Sequence, residues 1–208
     1  MHIQPIPCDL YGEICYLVST DAGDAAVVDP GPGAERLLPL LEALDLTLRG
    51  ILLTHGHLDH VGGVAAVAGS SCPVWIHPAD LGIRAPIFGR LSGTRAYGEG
   101  DAPAVGGLRF RVLHTPGHTP GSVCLLCDEP ASPDVPPVLF TGDTLFAGSC
   151  GRVDLDGSVP ADMMRSLNRL AAMPGDCRVL PGHGPETTMA KERRDNYYMR
   201  LAAEGIEP

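Results

Sequence analysis

Residues 51–63 read ILLTHGHLDHVGG and place His55, His57, Asp59 and His60 within six residues, straight after an apolar run and before two glycines. Imidazoles and a carboxylate are poor core material, because burying them without partners is costly. On extended backbone His55 and His57 point to the same side. Asp59 and His60 then come from the turn into a helix that Gly62 and Gly63 allow to pack closely. Four nitrogen and oxygen donors at one spot suit zinc, with iron and manganese as alternatives. HLDH lacks the two-histidine, one-glutamate HExxH pattern of a metalloprotease helix.

Three further pieces share that placement at the end of a strand. HTPGHTPGS carries His118 among Pro-Gly turns, LFTGDTLF closes an apolar strand with Asp143, and VLPGHGPE holds His183 in a tight loop. A lone His or Asp in a loop is ordinarily solvated. A buried carboxylate such as Asp143 is costly unless a cation neutralises it, and the common placement of all the pieces favours convergence on metal.

The elements that position them follow from periodicity. Residues 14–30 read as two strands around a turn at 21–24. Residues 34–46 are an apolar-periodic helix that Pro39 kinks or delays. A buried strand at 49–54, a small-residue helix at 61–68 and a short strand at 73–77 come next. Residues 82–100 carry Arg84, Phe88, Arg90, Arg95 and Tyr97 among glycines and read as a long surface loop over the site. Strands at 109–114, 122–127 and 138–141 follow, the last two joined by EPASPDVPP. A helix over 160–173 has Ser158 as cap and Pro160 in its first turn. A strand at 178–180 and a closing helix over 187–203 complete the pattern. Strands in two groups, each followed by helices, favour an α/β layered sandwich over a doubly wound sheet, in one domain over 1–208.

With 208 residues, 44% hydrophobic, the chain is long enough for a sizeable core. The net charge of −10 argues against nucleic acid or an anionic membrane surface as partner. MHIQPIPCDL lacks the basic and apolar regions of a signal peptide, and no apolar run is long enough to span a bilayer. Seven scattered cysteines are an odd count and read as thiols in a reducing cytoplasm.

THGHLDH (residues 54–60), TPGHTPGS (115–122), TGDTLF (141–146) and PGHG (181–184), in that order after VVDPG (27–31), resemble the metallo-β-lactamase superfamily and its short glyoxalase II-like bacterial branch. The resemblance implies a four-layer αβ/βα sandwich and two divalent metal ions, zinc first, with iron or manganese possible. It assigns His55, His57 and His118 to one metal, Asp59, His60 and His183 to the other, and Asp143 to both, with Asp59 and Asp143 in the catalytic centre. It further implies hydrolysis of a small-molecule thioester such as S-lactoylglutathione by a hydroxide bridging the metals. A thiolate leaving group needs no general acid. The alternatives are a mononuclear iron persulfide dioxygenase using His55, His118 and Asp143, and a lactonase. Asp143 stands where the best-known true β-lactamases carry a cysteine, which weakens an antibiotic-hydrolysing role.

Asp29, in VVDPG, resembles the family's aspartate that orients a ligand loop, with turn capping as the other reading. His77 and His114 also end strands; because the family pattern gives the ligand role to His118, His114 reads as a residue that supports a ligand or as a structural one. Cys124 and Cys127 form a lone CxxC in an apolar strand and read as core thiols. Cys150 edges the pocket. GSCGRVD (148–154) and ERRDNYYMR (192–200) resemble compact members, which lack the helical extension that supplies basic groups for glutathione. Arg90, Arg152 and Tyr198 are candidate contacts for an anionic thiol carrier.

Overall fold

A computed structural model describes residues 1–69, 72–83, 93–127 and 136–205. Its strands form two six-stranded sheets. The first runs in sequence order through β1 (His2–Pro7), β2 (Ile14–Ser19), β3 (Asp24–Val28), β4 (Thr47–Leu52), β5 (Val74–Ile76) and β6 (Thr94–Ala96). It is antiparallel from β1 to β3 and parallel from β3 to β6. The second contains β7 (Ala104–Val105), β8 (Leu108–His114), β9 (Val123–Cys127), β10 (Val138–Gly142), β11 (Arg178–Pro181) and β12 (Thr187–Thr188), in the order β12-β11-β10-β9-β8-β7.

The two-residue period of the strands separates the core into layers. Tyr16 and Val18 of β2 join Phe110, Leu125 and Phe140 between the sheets. Their neighbours Cys15 and Leu17 face the other way, onto α1 (Leu37–Ala43) and α3 (Val64–Ala68). In the second sheet, Cys124, Leu126 and Leu139 point outward against α4 (Pro160–Ala171) and α6 (Tyr197–Glu204). Helices, sheet, sheet, helices: the four-layer sandwich is the architecture observed. Strands buried on both faces explain the unbroken apolar runs ICYLVS and VCLLC.

Several local expectations need correction. β1 was not legible, because Pro5 and Pro7 disguise a strand that lies at the sheet edge, where missing N–H donors are tolerated. Within 82–100, β6 extends the first sheet beside β5, and Tyr97 is buried, its hydroxyl donating to the Leu53 carbonyl. Tyr97 is therefore core and not cover. Residues 84–92 of that loop, with Arg84, Phe88 and Arg90, lie outside the described residues. The helix expected at 61–68 is two short ones, α2 (Leu58–Val61) and α3. Leu37 opens α1 only after a 3₁₀ turn at Ala34–Arg36, so Pro39 sits in the first turn and delays the helix. Ser158 does not cap α4; Val159 takes that position, and the Ser158 hydroxyl donates to the His118 carbonyl at 2.8 Å. The closing helix is interrupted: β12, then α5 (Met189–Asp195), then α6, with Asn196 between the helices. No described helix is long and apolar enough to cross a membrane.

Candidate metal centre

The C-terminal ends of β4, β8, β10 and β11 and the loops that follow them bring all seven expected side chains to one end of the sandwich. His57 precedes α2 in extended conformation, so the chain turns into the helix directly after it and delivers Asp59 and His60 from the first turn. Donor atoms of His55, His57 and His118 lie within 4.8 Å of one another, and so do those of Asp59, His60 and His183. Asp143 stands between the groups: its Oδ2 is 3.4 Å from His118 Nε2 and 3.6 Å from His183 Nε2, and its Oδ1 is 3.3 Å from His60 Nε2.

The ring orientations follow from what holds the far nitrogens. His118 Nδ1 donates to the Arg152 carbonyl at 2.8 Å, which turns Nε2 toward the centre, 2.9 Å from His57 Nδ1. His60 Nδ1 lies 3.1 Å from Asp29 Oδ2 and turns Nε2 into the centre. Asp29 also accepts the Thr54 N–H at 2.7 Å and the Thr54 hydroxyl, so it orients His60 and ties down the segment that begins the histidine run. Although Asp29, His55 and His60 also bring donor atoms together, those bonds occupy both Asp29 oxygens. Gly182 is required by proximity: a Cβ there would stand 2.5 Å from Asp143 Oδ1 and 2.6 Å from His60 Cε1.

Electrostatics divides the two groups. Burial, reinforced by the surrounding imidazoles, pushes His55 well below the ordinary imidazole range, and burial and His118 bring His57 down to about 4. His60 is raised instead: burial opposes its proton, but Asp143 and Asp29 outweigh burial. His183 is also raised, burial being overcome by its bond to Asp59 and by Asp143. For Asp143 the burial penalty is overcome by His60, His118 and His183, and its carboxyl falls to about 2. His55 Nε2 and Asp143 Oδ1 are buried without a hydrogen bond. Unpaired donor atoms of this kind, among His and carboxylate ligands, fit a divalent cation.

A cleft of about 950 Å³ opens onto the centre, with Tyr11, Leu58, Ile83 and Phe146 among its apolar walls. Cys150 lines it as expected, and burial pushes its thiol up to about 11, so the sulfur stays protonated at neutral pH. Arg152 is also at the cleft, but Asp154 engages its guanidinium at 2.7 and 2.9 Å. Tyr198 packs against the outer helix layer instead. Arg90 lies outside the described residues. His77 and His114 stack on each other, ring centroids 4.3 Å apart, apart from the seven. Cys124 and Cys127 face opposite sides of β9, so the CxxC does not converge.

Two buried carboxyls beside the histidines were missed. Glu13 lies behind His60, Oε1 3.8 Å from Nδ1; both its oxygens lack hydrogen bonds, and burial pushes its pKa up to about 11. Asp80 accepts three hydrogen bonds from two segments that carry histidines. A single acidic residue in the strings GEICYL and HPADLG gives no sign of burial.

Residues 11–183 match the family model of the metallo-beta-lactamase superfamily. The chain belongs to that superfamily, a fold that binds divalent metals, and its His and Asp clusters are groups that could hold them. It is 35% identical over 215 residues to "Hydroxyacylglutathione hydrolase GloC" of Haemophilus influenzae, covering 96% of this chain and 98% of the relative. A solved structure described as a di-iron-bound form is 39% identical with a TM-score of 0.77, covering 94% of this chain and 99% of that one. The BLEG-1 B3 metallo-beta-lactamase is 33% identical with a TM-score of 0.80, covering 95% and 99%.

Proposed function

We propose that this chain is a thioester hydrolase of the glyoxalase II type, cleaving a small-molecule substrate such as S-lactoylglutathione. The observation that carries the reading is Asp143, whose two oxygens face both triads, so that His55, His57 and His118 would hold one cation, Asp59, His60 and His183 the second, and Asp143 both. When bound, such ions supply an acidified water as nucleophile and polarise the carbonyl under attack. The chain's own residues do the rest. Asp29 and the Arg152 carbonyl fix the rings of His60 and His118. Asp143, held near 2, stays ionised at neutral pH and is an acceptor and ligand, not an acid. A thiolate departs without a proton from such a group. The relative from Haemophilus influenzae carries the name of this activity, and the di-iron-bound relative supports iron alongside zinc as the resident metal.

A persulfide dioxygenase would need only His55, His118 and Asp143 around one iron. The complete second triad favours two metals and hydrolysis. Metal analysis of one purified sample, assayed with S-lactoylglutathione and for oxygen uptake with glutathione persulfide, separates the readings. About two metals per chain with thioester cleavage is expected. One iron per chain, rapid oxygen uptake and no cleavage would sink the hydrolase.

A further inference from the structure

Asp80 belongs to neither triad, yet it touches the segments that build the first. It closes the 3₁₀ turn Pro78–Asp80 after β5 and is fully buried. Oδ2 accepts the Gly56 N–H at 2.9 Å and the Thr119 hydroxyl at 2.7 Å, and Oδ1 accepts the Gly121 N–H at 2.7 Å. Gly56 lies between His55 and His57; Thr119 and Gly121 follow His118. Both glycines are forced by this carboxylate and its backbone. A Cβ on Gly121 would stand 2.5 Å from Asp80 Oδ1, and one on Gly56 would stand 2.9 Å from the Asp80 carbonyl oxygen.

We propose that Asp80 is a positioning residue for the first metal site, clamping segment 55–57 to segment 118–121 at the separation three imidazoles need to share one cation. This rests on the metal-site reading above. The clamp is independent of the second triad, which is set by Asp29 behind His60 and by the close approach of Gly182. A buried carboxylate is tolerable only when its acceptors are satisfied, and here three donors do so. No neutral residue of the same size substitutes. An asparagine keeps one acceptor oxygen. Placed at Oδ2 it retains Gly56 and Thr119 but turns its amide N–H against the Gly121 N–H, and placed at Oδ1 it does the same to the Gly56 N–H. In either orientation a donor faces a donor inside the clamp and forces the two segments to shift.

The test uses the full chain, stripped of metal and titrated with cobalt(II), following absorption and bound ion per chain. Wild type is expected to take up two equivalents. Asp80→Asn should weaken one of them by about tenfold or more, in the range of losses seen when the supports of metal ligands are removed, and leave the other in place. His118→Ala should weaken the same equivalent, and adding Asp80→Asn to it should cost no further cobalt. Undiminished binding of both equivalents in Asp80→Asn, equal weakening of both, or an additive loss in the double variant would overturn the proposal. If Asp80→Asn does not fold, Thr119→Val removes one of the three donors; several-fold weakening of one equivalent supports the clamp, and unchanged binding overturns it. A wild-type chain that binds no cobalt would instead remove the metal-site reading on which the clamp depends.

Discussion

Tyr11 shows how a single residue at the cleft mouth departs from what folding alone would select. It sits in a tight turn, Glu13 N–H to Leu10 carbonyl at 3.2 Å, with φ of +55° at Tyr11 and +70° at Gly12. Glycine accepts that conformation freely, whereas a bulky residue held there costs about 1–3 kcal/mol. Packing does not offset the cost, since Tyr11 is 81% exposed, yet the residue lines the cleft together with His57 and Asp59. Strain without internal compensation points to a ligand contact. Tyr11→Asn, which visits this region more readily, should therefore raise the melting temperature slightly while raising KM several-fold with kcat nearly unchanged. Lower stability, or an unaltered KM across several thioesters, would show that the ring has no such role.

At the scale of elements, the break in the closing helix is a support for the metal loops. Asn196 is buried; its side-chain oxygen accepts the N–H groups of Tyr198 and Met199 and so starts α6. Its amide donates to the Ser149 carbonyl and to Glu192, and Glu192 accepts the Gly148 N–H. The anchored loop runs on to Arg152, whose carbonyl fixes His118. Asn196→Ala should cost about 1–2 kcal/mol from the cap and more from the buried donors left behind, read as a melting temperature lower by several degrees. No change in thermal unfolding would mean that the two helices do not depend on this cap. Such supports explain what the sequence did and did not disclose. The seven histidines and aspartates were legible because each lies in a short glycine-rich string at a strand end, where local pattern and chemistry coincide. VVDPG exposed Asp29 for the same reason. Asp80, Glu13 and Asn196 were not legible, because only tertiary packing decides that they are buried. β1 and β6 escaped because prolines and short length mask their period, and both pair at the margins of the first sheet.

For the whole molecule, the two triads differ in how protons compete with metal. His55 and His57 are held below the usual imidazole range, the latter at about 4, so near neutral pH they are unprotonated and ready to bind. His60 and His183 are held above it: burial works against their protons, but Asp143 and Asp29 at His60, and Asp59 and Asp143 at His183, prevail. A histidine whose folded pKa is raised stabilises the fold fully below its unfolded value, about 6.5, and that contribution is lost as pH rises through the folded value. In the metal-free chain these two protons therefore hold the carboxylates together in acid and leave them repelling one another in alkali. Under the two-cation reading proposed above, cations would reverse the trend, because the same histidines must then lose their protons to bind. The gain in melting temperature on adding zinc should accordingly grow between pH 6 and pH 9, and calorimetric titration near pH 7 should show net proton release. His183→Ala should reduce both the slope and the release, whereas His57→Ala should lower metal uptake without altering the protons released at the remaining site. A zinc-induced shift that is flat with pH, or largest at the acid end, would contradict the assignment of His60 and His183 to a cation-binding triad.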